Sequence, residues 1–328
     1  MDDKKINCVV LLGPTAAGKT SLGVEIASYF NWDIISADSR QTYKGLDLGS
    51  GKDIEEYTLK VPSEDGSFET RKIPYHLIDV TTLDNEYNVF NFQSDFYKLF
   101  RKFESEGKMA FVVGGTGMYV DSIVRGYDFV PVPENPSLRK ELAEKSLEEL
   151  DEMLLKLKPS LHNKSDLLIR ERVVRAIEIE SFMQSPECVQ LRKELPERPA
   201  IKPFVIGSTL PRDILRENIK KRLDERLKKG MIEEVENLHN SGVSWERLEK
   251  LGLEYRFISL YLENKIASKD EMTEQLYHAI CQFAKRQETW FRGMEKKGVE
   301  IHWLPLNADR KARFFQVLDF LKEQGIKH

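Results

Sequence analysis

Short apolar runs and helical stripes take turns through the first third of the chain. Residues 7–12, 33–36, 76–80 and 109–113 are β-rich runs, several ending at Gly or Asp, and they predict strands. Between them, residues 21–30 and 90–106 place apolar side chains at helical spacing. Such alternation predicts a parallel sheet with crossover helices. One stretch departs from it. Residues 56–61 and 67–71 alternate around Pro62-Ser63-Glu64-Asp65-Gly66, which predicts a surface hairpin.

After Pro131-Val132-Pro133-Glu134-Asn135-Pro136 the texture changes. Residues 137–184 are charged and helix-forming, with no strand pattern. Pro196, Pro199 and Pro203 then lead back to a β run at 204–207. The last third is mainly helical, with residues 299–304 as a final strand. Leu215, Ile219, Leu223, Leu227, Met231 and Val235 recur every four positions and predict one apolar stripe, with Arg212, Arg216, Lys220 and Lys221 off it. Leu276, Ile280, Phe283, Trp290 and Met294 form another stripe, so the aromatic residues there are expected in the core.

Composition narrows the class. Fifty basic residues against 54 acidic ones, in 328, give a net charge of −4. That excludes a general basic nucleic-acid coat and leaves room for an enzyme that meets a polyanion through local patches. The apolar run Cys8-Val9-Val10-Leu11-Leu12 is far shorter than the roughly 18 residues of a membrane span, and no secretory leader pattern precedes it. The expectation is a soluble, cytoplasmic protein with no membrane partner. Cys8, Cys188 and Cys281 lie far apart, with neither metal-ligand spacing nor an even disulfide set.

The strongest chemical signal is Gly13-Pro14-Thr15-Ala16-Ala17-Gly18-Lys19-Thr20, which matches the phosphate-loop pattern and sits between a β run and a helix pattern. Its glycines let successive backbone N–H groups converge on phosphate oxygens, and the following helix adds its positive end. Lys19 supplies a point charge and Thr20 a hydroxyl for Mg²⁺. The expected fold class is therefore α/β, a P-loop NTPase-like parallel sheet with flanking helices plus an all-helical insertion. Residues 1–130 and 203–328 form the core, and 131–202 the insertion. Two runs end in an acid, Asp38 and Asp79, whereas residues 111–113 run into Gly114-Gly115-Thr116-Gly117. Ligands bind at the carboxyl ends of such strands, so Asp38 and Thr116 should face the same crevice as the loop. For Asp38 alone, a strand-end turn or helix cap is the plainer role.

Five motifs in series resemble the tRNA dimethylallyltransferases, also called tRNA isopentenyltransferases. They are the loop at 13–20, Asp38-Ser39-Arg40-Gln41-Thr42-Tyr43-Lys44-Gly45-Leu46-Asp47-Leu48-Gly49, Tyr75-His76-Leu77-Ile78-Asp79, Val113-Gly114-Gly115-Thr116-Gly117-Met118-Tyr119, and Lys285-Arg286-Gln287-Glu288-Thr289-Trp290-Phe291-Arg292. The resemblance runs to about residue 305. It implies that dimethylallyl diphosphate, with Mg²⁺, occupies the loop and that diphosphate leaves. The acceptor would be the exocyclic amine of the adenosine 3′ of the anticodon, with Asp38 as base and Thr116 orienting the reacting groups. It also implies tRNA contacts from Asp38, Ser39, Arg40, Gln41 and Thr116, from Arg139, Arg172 and Arg175 of the insertion, and from Lys285, Arg286, Gln287 and Arg292, in a monomeric enzyme.

Plainer roles exist for several of these. Arg172 and Arg175 are spaced for ion pairs with Glu171 and Glu178, and Arg139 can be simply solvated. Gln287 falls on the apolar stripe. An unpaired buried amide costs about 1–3 kcal/mol, so it needs a definite partner, either backbone or RNA. The chain departs from the family at Leu48-Gly49-Ser50-Gly51-Lys52-Asp53, usually Ile-Gly-Thr-Ala-Lys-Pro, and at Glu254, where Gly is usual before Tyr255. That glycine lies near the RNA in the family, so Glu254 is expected to bring negative charge there. Three other readings share the loop: an ATP-dependent small-molecule kinase, an adenylate isopentenyltransferase, and a catalytically inactive RNA-binding scaffold.

Overall fold

A computed structural model describes residues 5–62, 67–159 and 169–327. The chain opens with β1 (Cys8–Leu12), α1 (Lys19–Phe30) and β2 (Ile34–Ala37), followed by a 3₁₀ turn at Ile54–Tyr57. Strands β3 (Thr58–Pro62) and β4 (Phe68–Lys72) pair antiparallel as a separate hairpin, whose turn at 63–66 lies outside the described residues. The 3₁₀ turn takes residues that the alternating pattern assigned to the hairpin. β5 (Tyr75–His76), α2 (Val89–Ser105), β6 (Ala110–Gly114) and α3 (Gly117–Val124) complete the first part. After α4 to α7, described below, come β7 (Pro203–Gly207), α8 (Arg212–Lys228), α9 (Met231–Asn240), α10 (Trp245–Lys250), α11 (Leu253–Leu262), α12 (Lys269–Lys296), β8 (His302–Trp303) and α13 (Arg310–Glu323).

Six strands form one sheet in the order β5-β2-β6-β1-β7-β8, and every pair is parallel. The expected α/β fold class is thus the one observed. β1 lies centrally and is buried on both faces, which explains its unbroken apolar run. Cys8, Val10 and Leu12 pack toward α2, α3 and the C-terminal part of α12, while Val9 and Leu11 pack toward α1 and α13. A third apolar cluster joins α8 to α12 with Tyr43 and Leu46. The register aligns Leu12 with Gly114 and Gly207, and Ala37 with Gly114. Four strands therefore finish along one edge, and the residues after them meet there.

Three expectations about elements need correction. The β run at 76–80 supplies only two strand residues, because Leu77 and Asp79 take left-handed backbone (φ 61° and 55°). Asp79 consequently leaves the strand edge and its carboxylate meets the buried Lys52 ammonium at 2.5 Å. The stripe from Leu215 to Val235 spans two helices, not one, since Gly230 breaks it with φ 99°. On α12 Leu276, Ile280 and Met294 are buried as expected, but Ala284 and Phe291 take the core positions between them in place of Phe283 and Trp290. Phe283 and Trp290 stand at the margins of the stripe, each 38% exposed.

The chain divides into two compact units, Met1–Tyr127 with Pro199–His328, and Asp128–Arg198. The second unit comprises α4 (Pro136–Ala143), α5 (Leu147–Leu157), α6 (Arg170–Met183) and α7 (Pro186–Glu194). Asn135, Ser146 and Ser185 cap α4, α5 and α7 with side-chain acceptors, and prolines open α4 and α7. Leu142, Leu150, Leu154, Val173 and Ile177 form its own core. Among the described residues no helix is long and apolar enough to cross a membrane.

Candidate active site

The loop between β1 and α1 is shaped by backbone conformations that few residues adopt. Ala16 and Gly18 have φ of 62° and 73°, so the chain curls around its own N–H groups. At Gly13 an added Cβ would lie within 2 Å of the Ser208 carbonyl oxygen (1.9 Å), so this position admits no side chain. Lys19 opens α1 and donates from Nζ to the Pro14 carbonyl at 2.6 Å. Burial lowers the Lys19 ammonium to about 8, with Asp38 pulling it up and Arg222 pushing it down.

Helix α8 covers the loop. Asn218 Nδ2 donates to the Ala16 carbonyl at 3.2 Å, and Arg222 donates to the Thr15 hydroxyl. Burial brings the Arg222 guanidinium down to about 10; Arg226 adds to that, against the carboxylates of Glu254, Asp53 and Glu56. Arg226 pairs with Asp53 at 2.6 Å. A cavity of about 340 Å³ opens between these elements. Its basic lining is Lys19, Lys221, Arg222, Arg226 and Lys229, and Thr20 and the carboxylates of Asp53 and Glu56 share it. The sequence pattern had marked Lys221 as off the apolar stripe and missed Arg222 and Arg226. Positions 218, 222, 225 and 229 do repeat at helical spacing, but a polar face by itself does not say that it points inward.

Asp38 follows β2 directly. Its Oδ1 accepts the Arg40 N–H at 3.0 Å, an Asx turn that fixes the carboxylate. Asp38 and the loop follow strands that flank β6 on either side and end along one sheet edge, and the Asp38 carboxylate acts on the Lys19 ammonium through its charge. Thr116 Oγ1 accepts the Ser39 N–H at 3.0 Å and lies 3.3 Å from the Ser39 hydroxyl, tying the end of β6 to the residue after Asp38. Arg40 reaches the Lys250 carbonyl at 3.3 Å. Gln41 does not present a free edge. It is buried, its Oε1 accepts from Ser36 and its Nε2 donates to Gly51, so it props the segment from inside.

Gln287 is 7% exposed. Its Oε1 accepts the Thr15 N–H at 2.8 Å and its Nε2 donates to the Gly115 carbonyl at 2.7 Å. Of the two partners expected for it, the backbone is the one found, and the Thr15 amide is thereby not free for a phosphate. Lys285, Arg286 and Arg292 are exposed on α12, with Arg286 over the Phe283 ring and Arg292 3.7 Å from Glu288. Trp290 packs where a Gly117 Cβ would be, at the start of α3.

In the helical unit, Arg139 and Arg175 converge on Glu178, whose side chain is fully buried. Arg139 bonds it through Nε and Nη2 at 2.7 and 2.9 Å, Arg175 at 2.9 Å, and the Asn135 N–H at 2.9 Å. Burial would raise the Glu178 carboxyl, but these donors bring it to about 2. The ion-pair role considered for Arg175 is the observed one, and it extends to Arg139. Arg172 is exposed. Glu254 follows Leu253 at the start of α11. It lines a small cavity with Arg222 and Arg226, and burial raises its carboxyl while both arginines lower it.

For a divalent cation, the described residues hold no cluster of three or more acidic, His or Cys ligands. Magnesium commonly takes one or two protein oxygens and completes its shell from phosphates and water. The Thr20 hydroxyl, beside a cavity that also holds Asp53 and Glu56, suits that mode.

The family described as IPP transferase matches residues 41–294, and that described as isopentenyl transferase matches residues 6–61. The chain is 51% identical to tRNA dimethylallyltransferase 2 of Treponema denticola over 301 residues, 92% of this chain and 96% of the relative. It is 48% identical to tRNA dimethylallyltransferase 1 of Syntrophus aciditrophicus, over 91% and 93% of the two chains. Among solved structures, the tRNA isopentenylpyrophosphate transferase of Bacillus halodurans superposes with a TM-score of 0.67 at 27% identity, covering 98% of this chain and 97% of that one. A eukaryotic dimethylallyltransferase acting on tRNA shares the fold at 18% identity, with a TM-score of 0.71 over 99% and 81% of the chains.

Proposed function

Because the chain belongs to the IPP transferase family, we propose that it transfers a dimethylallyl group from dimethylallyl diphosphate to N6 of the adenosine 3′ of the anticodon in tRNA. Diphosphate is released. It is a transferase that modifies tRNA. The observation that carries the chemistry is the meeting, along one sheet edge, of the loop after β1, Asp38 after β2 and Thr116 after β6.

The allylic carbon–oxygen bond breaks while a carbon–nitrogen bond forms. Negative charge grows on the departing diphosphate, so donors already aimed at it act most strongly in the transition state. Lys19, Arg222 and the N–H groups of Ala16 to Thr20 take this role, and Lys19 must leave the Pro14 carbonyl to do so. Mg²⁺ held by diphosphate oxygens and the Thr20 hydroxyl would neutralise part of that charge. The adenine amine is a weak nucleophile because its lone pair is conjugated into the ring, and Asp38 accepts the proton it loses. Arg40 Nη1 holds the Lys250 carbonyl, and the Asp38–Arg40 turn sets the carboxylate. Thr116 braces Ser39 and so the segment that meets the base.

A stacked adenine cannot reach the loop, so the base is extruded, and RNA of this kind is read through splayed bases, stacking and arginine contacts. Lys285, Arg286 and Arg292, with exposed Phe283 and Trp290 on the same helix, suit that role. A monomer working in the cytoplasm is part of this proposal.

The test supplies labelled dimethylallyl diphosphate with unmodified tRNA, the isolated anticodon stem-loop, or AMP. Label is expected in the RNAs, and Asp38→Asn should lower turnover by about 10²–10⁴ with tRNA affinity retained. Label confined to AMP, or undiminished turnover in the variant, would overturn the assignment.

A further inference from the structure

Gln287 touches both halves of the crevice. Its carboxamide accepts from the Thr15 N–H in the diphosphate loop and donates to the carbonyl of Gly115, the residue before Thr116. These partners lie 272 and 172 positions away in sequence, so a single side chain on α12 fastens two otherwise separate turns. Its neighbours on that helix face, Ile280 and Ala284 on one side and Phe291 and Met294 on the other, are set in two different apolar clusters. The helix that carries the amide is therefore anchored on both sides of it. The amide is pressed against the turn as well, since a Cβ on Gly115 would lie 2.7 Å from Nε2.

We propose that Gln287 is a positioning residue, which sets the spacing between the diphosphate loop and the Thr116–Ser39–Asp38 bracket so that the allylic carbon is attacked by the RNA amine rather than by water. This rests on the transferase reading above. In either outcome the allylic carbon–oxygen bond breaks and diphosphate leaves. With RNA the new bond is to nitrogen and the amine proton goes to Asp38. With water the new bond is to oxygen, the proton is released, and the product is dimethylallyl alcohol. A displacement of about 1 Å between reacting groups costs roughly 10²-fold in an oriented reaction, whereas water needs no such register.

The experiment follows labelled dimethylallyl diphosphate into modified tRNA and into dimethylallyl alcohol, at saturating tRNA, for the wild type, Gln287→Met and Gln287→Glu. Gln287→Met loses both bonds. It should cut transfer about 10–100-fold and raise the alcohol share by a similar factor, with the KM for tRNA within about twofold of wild type. In Gln287→Glu the protonated carboxyl reproduces the amide, with its C=O accepting from Thr15 and its O–H donating to Gly115, whereas the ionised form repels the Gly115 carbonyl. Its alcohol share, normalised to wild type, should therefore fall toward unity as pH is lowered; burial favours the protonated form, while the Thr15 N–H and the Lys19 ammonium, whose Nζ lies 3.5 Å from where a Gly115 Cβ would stand, favour the ionised one. If Gln287→Met does not fold, that pH series decides alone. A raised KM for tRNA with unchanged partitioning would make Gln287 an RNA contact and overturn the inference, as would wild-type partitioning in Gln287→Glu at high pH, where its carboxylate faces the Gly115 carbonyl. Absence of labelled tRNA even with the wild type would overturn the transferase reading and this one together.

Discussion

Single residues in this chain owe their roles to what surrounds them. Lys19 belongs to a motif readable at sight, yet its working pH range comes from burial, which lowers its ammonium from 10.5 to about 8. The folded value lies below the unfolded one, so the charge is present below about pH 8 and is lost as pH rises through it. Bound diphosphate restores that charge. The KM for dimethylallyl diphosphate should accordingly rise above about pH 8, by up to tenfold per unit, while kcat at saturation stays level. Lys19→Arg, which does not titrate there, should remove the rise, and steady-state kinetics across pH check both. Gln41 and Gln287 show the opposite case. Both stand in motifs that the resemblance linked to RNA, and both amides are satisfied by the protein itself.

Elements carry a second layer of decision. Strand β1 and the loop after it were legible because an apolar run buried on both faces admits few other readings. The end of β5 was not, because left-handed backbone at Leu77 and Asp79 follows from contacts with Lys52 and the 41–42 segment, remote in sequence. Helix α8 has two meaningful faces, and only packing decided that the one bearing Asn218, Arg222 and Arg226 covers the loop. In the helical unit, α4 and α6 are joined by Glu178 bonded to Arg139, Arg175 and the Asn135 N–H. Removing the carboxylate by Glu178→Gln leaves two cations facing a neutral amide. The expected loss is about 2–4 kcal/mol, at the lower side for a buried pair because both guanidiniums keep a solvent-facing side. Denaturant unfolding measures it. The Glu178 carboxyl, held at about 2 against 4.5 unfolded, contributes fully above about pH 4.5 and loses its contribution as pH falls toward 2. The variant should lack that acid-dependent component, which unfolding at several pH values would reveal.

For the whole molecule, a net charge of −4 predicts that tRNA is met by local cation sets, not by a general field. The tRNA affinity should then fall steeply with salt, and Lys285→Ala and Arg286→Ala should each reduce the slope of log affinity against log salt by about one, while binding of dimethylallyl diphosphate is unaffected. Titrations at several salt concentrations test this. The sequence by itself determined the fold class, the phosphate-loop pattern, Asp38 and Thr116 as strand-end residues, and the chain's departure into helices and return to the sheet. These depend on local patterning, on glycine-permitted backbone and on where strands stop, all of which are written in neighbouring residues. Tertiary structure alone decided that Arg222 and Arg226 line the loop, that Glu254 sits beside them, that Arg139 and Arg175 are spent on Glu178, and that Gln287 bridges Thr15 to Gly115. Each of those outcomes pairs a side chain with a group many positions away, and no periodicity in a single chain records which distant face a polar residue will meet.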